Sequence, residues 1–180
     1  RSKKMKNKIF STGLAAGLIF FVGTALAGEY HDWPKKTTSP DLNRIKGLVG
    51  VWKGTSVTGK EEQPVTVEYA LTSGGSAVVE KLFAGTDHEM ISVYHDQKGK
   101  LTLTHYCMLG NQPILDLKKS TPEAMQFEFC KKSDINPKKE THMHSLRLTT
   151  KDGRTLVQDW TLFEKGKPSG VTTIKLTRAS

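Results

Sequence analysis

Between Leu48 and Arg178 apolar and polar residues alternate with a period of two, in short runs broken by turn residues. That period puts successive side chains on opposite faces of a strand, so each run predicts a β-strand with one face toward a core. Ten runs are delimited this way, over 48–57, 64–72, 76–83, 88–96, 100–108, 112–119, 123–131, 141–150, 154–163 and 170–178. Gly74-Gly75, Gly85-Thr86, Gln97-Lys98-Gly99, Gly110-Asn111 and Asp152-Gly153 supply tight turns between them. Links this short cannot carry parallel crossovers, so neighbours in sequence run antiparallel. One segment has helical spacing instead: Leu42, Ile45 and Leu48, with Asp41 as the expected N-cap of a short helix or turn. Ten strands with no helices to cover a face would leave two open edges, which closure removes. The expected fold is all-β: a single up-and-down antiparallel barrel of about ten strands over 41–180, opened by one short N-terminal helix.

The same alternation separates lumen from exterior. Val65, Val67, Tyr69 and Leu71 are expected inside on the second strand, Met125, Phe127 and Phe129 on the seventh, and Leu156, Gln158, Trp160 and Leu162 on the ninth. The fourth strand is ambiguous, with His88, Met90, Ser92 and Tyr94 on one face and Glu89, Ile91, Val93 and His95 on the other. On the fifth, His105 and Cys107 continue the phase of Leu101 and Leu103; on the eighth, His142 and His144 share the phase of Leu146 and Leu148. All four are expected to point inward, and each then needs a partner, because burying an unsatisfied polar group costs roughly 2 to 7 kcal/mol. In a meander the end of strand five and the start of strand eight meet at one mouth. His88 and Glu89 fall near it, and Asn111 and Gln112 lie in the adjoining loop.

Ahead of the strands, Lys3, Lys4, Lys6 and Lys8 precede an apolar stretch over 14–22, and Ala25-Leu26-Ala27 follows as a small-residue cleavage pattern. This predicts a secretory signal peptide over 1–27, with Met5 read as its start, an unpatterned lead over 28–40, and an exported, periplasmic or secreted product. The apolar stretch is short for a bilayer, so no membrane span is expected. Five of the 27 Lys and Arg residues and none of the 18 acids precede residue 28, so cleavage lowers the net charge from +9 to +4. The remainder is scattered as Lys35-Lys36, Lys118-Lys119, Lys131-Lys132 and Lys138-Lys139 without interleaved aromatics, which argues against nucleic acid as a partner. Export permits a disulfide between Cys107 and Cys130, although Cys130 falls one step out of the inward phase of Phe127 and Phe129.

Trp52, flanked by Gly50 and Gly54, resembles the opening Gly-x-Trp signature of the calycin superfamily, which includes lipocalins, fatty-acid-binding proteins and nitrobindin-like barrels. Longer stretches carry a closer likeness: Val65-Thr66-Val67-Glu68-Tyr69, Thr72-Ser73-Gly74-Gly75-Ser76, His88-Glu89-Met90, Leu103-Thr104-His105-Tyr106-Cys107, Gly110-Asn111-Gln112-Pro113 and His142-Met143-His144. These look like an uncharacterised family of exported bacterial calycin-like proteins. The resemblance implies a barrel closed at one end by Trp52, with Arg178 of the last strand packed across the indole as a cation–π contact. The Arg-x-Tyr carboxylate clamp of fatty-acid-binding proteins is absent, since Lys175-Leu176-Thr177-Arg178 stands there. Nitrobindins hold haem through a wall histidine, a role that the resemblance would give to His142 or His144.

Three uses of the mouth stay open. A small hydrophobic or amphipathic molecule would occupy a lumen lined by Tyr69, Phe127, Phe129 and Trp160, its polar end meeting His105, Cys107, Asn111, Gln112, His142 and His144. A metal ion would take His105, His142 and His144, with Cys107 as a further ligand. Alternatively the polar groups satisfy one another and the loop backbones. Cys107 beside a histidine would be a nucleophile with its base. No nucleophile elbow is present, because Gly74-Gly75-Ser76-Ala77-Val78 lacks the closing glycine, and enzymatic activity is left open.

Overall fold

The computed structural model describes residues 37–179; the expected signal peptide and most of the lead lie outside them. A short helix, α1 (Pro40–Lys46), is followed by ten strands: β1 (Gly50–Thr58), β2 (Glu61–Thr72), β3 (Ala77–Leu82), β4 (Met90–Gln97), β5 (Lys100–Tyr106), β6 (Ile114–Ser120), β7 (Ala124–Phe129), β8 (His142–Lys151), β9 (Thr155–Glu164) and β10 (Lys167–Arg178). Every strand pairs antiparallel with its neighbours in sequence, and β1 pairs with β10, so the sheet closes into the expected up-and-down barrel. No helix among the described residues is long and apolar enough to cross a membrane.

The helix starts two residues earlier than its hydrophobic spacing suggests. Ser39, not Asp41, is the N-cap, its hydroxyl accepting from the Leu42 N–H at 3.0 Å, because Pro40 presets the first helical φ and needs no N–H partner. Ser39 is itself tied to the barrel by donating from its hydroxyl to Asp96 Oδ1 at 2.7 Å. Leu42 and Ile45 are fully buried, so α1 plugs one end of the barrel. Trp52 lies behind it and donates its indole N–H to the Leu48 carbonyl at 2.8 Å. Arg178 covers the indole at 4.3 Å from the ring centroid and donates to the Gly47 and Val49 carbonyls at 2.7 and 2.8 Å. At Gly54, β1 and β10 approach so closely that a Cβ would stand 1.8 Å from the Lys175 carbonyl oxygen.

The inward phases hold through most of the barrel. Val65, Val67, Tyr69, Leu101, Leu103, Met125, Phe127, Leu146, Leu148, Leu156, Gln158 and Trp160 are all buried. Leu71 is the exception on β2: it is half exposed, at the strand's outer end beyond the packed interior. On β4 the ambiguity resolves toward Ser92 and Tyr94, both fully buried.

Candidate functional site

The barrel end opposite α1 is framed by the β1–β2, β3–β4, β5–β6, β7–β8 and β9–β10 connections. Inside it lies a cavity of about 180 Å³. Its wall is apolar where Leu82, Phe83, Met90, Met108, Met143, Trp160 and Ile174 face it, and polar where Ser56, Thr58, Gln63, Thr172, His88 and His105 do. The β1 and β10 contributions alternate as strands require, with Ser56 and Thr58 on one and Thr172 and Ile174 on the other; the two threonine hydroxyls are 2.7 Å apart.

Below the cavity the interior is filled by a belt of hydrogen-bonded side chains. Four of its members are register partners across consecutive strands: Tyr69 faces Glu80, Glu80 faces Ser92, and Ser92 faces His105. Because barrel strands tilt, such a row climbs from the plugged end toward the mouth, which puts His105 at the cavity. Tyr69 donates to Glu80 Oε1 at 2.6 Å and Tyr94 to Oε2 at 3.0 Å. Gln158 Nε2 donates to both the Tyr69 oxygen and Glu80 Oε1, at 2.7 and 2.6 Å, while Gln158 Oε1 accepts from the Trp160 indole at 3.0 Å. Trp160 then packs against His105 with ring centroids 4.6 Å apart, completing a circuit around the interior.

Electrostatics follow from this burial. Glu80 is wholly enclosed, which raises its carboxyl above the ordinary range, and hydrogen bonds from Tyr69, Ser92, Gln158 and Tyr94 pull it back down. Burial, reinforced by the Glu80 charge, keeps both tyrosines protonated and therefore donating. Burial also pushes the His105 imidazole down to about 4, so the ring is neutral near pH 7. Its Nδ1 pairs with the Ser92 hydroxyl at 3.0 Å, which leaves Nε2 as the ring nitrogen not engaged by Ser92.

The eighth strand departs from the expected parity. The ladder between β8 and β9 shifts between Met143 and Ser145, so His144 is an extra residue with no opposite number. A bulge of this kind reverses the faces beyond it. Met143, not His142 or His144, lines the cavity. His142 and His144 therefore do not line the cavity with His105 as expected: they form a separate cluster with the half-buried Phe129 and Phe163, in which His142 is fully buried. His144 stacks on Phe163 at 3.7 Å between centroids and on Phe129 at 5.4 Å, and its Nδ1 meets His142 Nε2 at 3.0 Å. His142 Nδ1 pairs with the Glu140 carbonyl at 2.8 Å. Partial burial and the neighbouring His142 hold the His144 ring below the ordinary histidine value.

Of the other residues marked by the sequence, Trp160 lines the cavity with His105, whereas Tyr69 and Phe127 are packed beneath it. Cys107 lies past the end of β5, where its N–H donates to the Asn111 carbonyl in a turn, and it does not line the cavity. Cys107 and Cys130 are free thiols, and burial raises both. Asn111 donates to the Thr141 carbonyl at 2.8 Å, joining the β5–β6 and β7–β8 loops, and Gln112 is exposed. The three histidines suggested as metal ligands do not share a centre. Among the described residues no group of three or more His, Cys, Asp or Glu is arranged to hold a metal ion. Sequence reasoning missed Glu80, although Val78 and Leu82, two positions to either side, marked its inward phase.

No family model matches the chain, and no curated protein does. Among solved structures it is similar to a protein of unknown function of the DUF3598 family from Nostoc punctiforme, with a TM-score of 0.54 and 12% identity over 75% of this chain. The likeness is one of fold. This chain spans about half of that protein, 49% of its length.

Proposed function

We propose that the protein is an exported, calycin-like barrel that receives one small, largely apolar molecule in the cavity between His105 and the mouth. The cavity itself carries this reading: about 180 Å³ of space bounded by methionine, aromatic and hydroxyl side chains, above a polar belt that is otherwise fully packed. Engineered apolar cavities of about 150 Å³ accept benzene, whereas drug-sized ligands need roughly 300–1,000 Å³. Size therefore favours a single-ring compound over a fatty acid or a haem. A haem or metal role for the histidines has less support, since His105 faces the cavity while His142 and His144 stack against Phe129 and Phe163.

A ligand that binds only the folded state raises its stability with concentration. Benzene is expected to raise the melting temperature of the protein in a saturable way, and Ser56→Leu, which puts a larger side chain into the same space, is expected to abolish that effect. A melting temperature indifferent to benzene would refute the reading. Export is supported by the basic, apolar and small-residue order of 1–27. Fractionation of the producing cell with N-terminal sequencing should find a product that begins at Gly28; a full-length cytoplasmic product would oppose it.

A further inference from the structure

The turn that follows β5 carries apolar residues where a turn ordinarily carries polar ones. Gly110 N–H donates to the Cys107 carbonyl at 3.0 Å, which makes Met108 and Leu109 the two central, outermost residues of a β-turn. Both project into solvent, 55% and 49% exposed, although turn tips favour Gly, Pro, Asn, Asp and Ser. Met108 also lines the cavity, so this tip stands on the cavity's rim. Two contacts join the loop to its neighbours around the mouth. Asn111 donates to the Thr141 carbonyl at 2.8 Å, at the end of the β7–β8 connection. In that connection the Lys138 Cα lies 3.4 Å from where a Cβ on Gly166 of the β9–β10 turn would stand. Exposed Lys138, Lys139, Lys165 and Lys167 are thereby gathered on the sector of the rim that holds the apolar tip. Lys131 and Lys132 begin the same connection, and Asp134, Glu140 and Glu164 are the acids set against all six. The other sector has the opposite balance, with Glu61, Glu62, Asp87 and Glu89 against Lys60.

We propose that this sector of the mouth docks on an anionic lipid surface, with Met108 and Leu109 inserted among the acyl chains and Lys138, Lys139, Lys165 and Lys167 set against the headgroups. Peripheral attachment of this kind draws on both terms at once, apolar area buried at the interface and attraction of Lys to anionic lipid. It needs no membrane span. The basic residues of the two connections are lysines without a single arginine. Protein interfaces are depleted in Lys and enriched in Arg, because a partner's carboxylates reward the planar guanidinium. Mobile ammonium groups around a protruding apolar tip suit a fluid, diffuse array of phosphates instead. The acidic sector orients the contact, since repulsion from the same surface tilts Asp87 and Glu89 away from it. The proposal goes beyond the ligand reading given above and does not depend on it, although it would bring the cavity rim to the bilayer.

The test is flotation of the product beginning at Gly28, which keeps the closed barrel and leaves out the apolar stretch over 14–22, with two kinds of vesicle. One is phosphatidylcholine alone, the other phosphatidylcholine and phosphatidylglycerol in equal parts. The protein should float with the mixed vesicles and not with phosphatidylcholine alone. Leu109→Ser should weaken that binding about tenfold, the effect of withdrawing one leucine from an apolar phase. Lys138→Gln with Lys139→Gln should weaken it by about tenfold or more. Lys118→Gln with Lys119→Gln removes the same charge from exposed positions toward the plugged end and should leave binding nearly unchanged. Leu109→Trp should show an added blue-shifted emission on the mixed vesicles. All these side chains are exposed, so the variants should melt as wild type does. Equal losses from the two lysine pairs, or no effect of Leu109→Ser, would overturn the docked sector in favour of diffuse attraction. Binding to neither vesicle would overturn the proposal and leave the patch to a protein partner, while the benzene titration still reports on the cavity.

Discussion

The folded state resists protonation of His105, and that resistance should be measurable as a pH-dependent loss of stability. In the unfolded chain the imidazole takes its proton near 6.5, but in the barrel burial delays this to about 4. Between those values the unfolded state binds more protons, so stability falls as pH falls. The contribution is fully present above about pH 6.5, declines below it, and is exhausted near pH 4. At about 1.4 kcal/mol for each tenfold change in proton affinity, the loss amounts to about 3 kcal/mol, a large share of the roughly 5–15 kcal/mol that holds a domain together. Glu80 works in the opposite direction: its raised carboxyl takes up a proton earlier in the folded state, so acidification returns stability through that group. Urea unfolding of wild type alone would mix the two. The informative quantity is the stability difference between wild type and His105→Gln, followed from pH 7.5 to pH 4, in which the remaining titrations largely cancel. That difference should shift by about 3 kcal/mol against wild type on acidification. A difference that stays constant across this range would refute the claim that the imidazole is buried and neutral.

Other expectations concern the frame. Gly54→Ala should cost about 3 kcal/mol in urea unfolding, because the new methyl group meets the Lys175 backbone and β1 must move from β10. Arg178→Met should cost about 1–2 kcal/mol, through the lost indole contact and two carbonyls left without their charged donor; the loss should persist in high salt, since no ion pair is involved. Tyr94→Phe should cost about 1–3 kcal/mol at pH 7.5 by removing a donor from the buried Glu80 carboxylate, and the penalty should shrink at low pH as that carboxyl protonates.

Most of the frame was legible because its causes are local. Alternation marks a strand without reference to its partner, and tight turns such as Asp152-Gly153 force antiparallel neighbours. Chain direction then brings His105 and His142 to the same end, and the structure agrees. What failed was the step from end to face. Counting by twos assumes an unbroken ladder, and the extra residue at His144 exists only relative to β9. One hint was present: an inward reading of His142 and His144 exposes Met143, an apolar residue better suited to the interior. The helix cap failed for a similar reason, since Pro40 and Asp96 decide in favour of Ser39 and only the former is nearby in sequence.

Glu80 connects the size of the cavity to its chemistry. A carboxyl group sealed inside a barrel needs hydrogen-bond partners, and Tyr69, Tyr94 and Gln158 supply them from β2, β4 and β9. Those side chains occupy the middle of the lumen, so the cavity lies between the belt and the mouth. Ser92, the register partner of Glu80, meets His105 Nδ1 at 3.0 Å, so the row that carries the carboxyl also reaches the cavity wall. Replacing the belt with apolar residues of similar volume would keep the cavity small and the barrel closed, yet it would leave His105 Nδ1 without its Ser92 partner. How much of the lumen is left for a ligand is thus a consequence of one buried carboxyl group and the side chains that hold it.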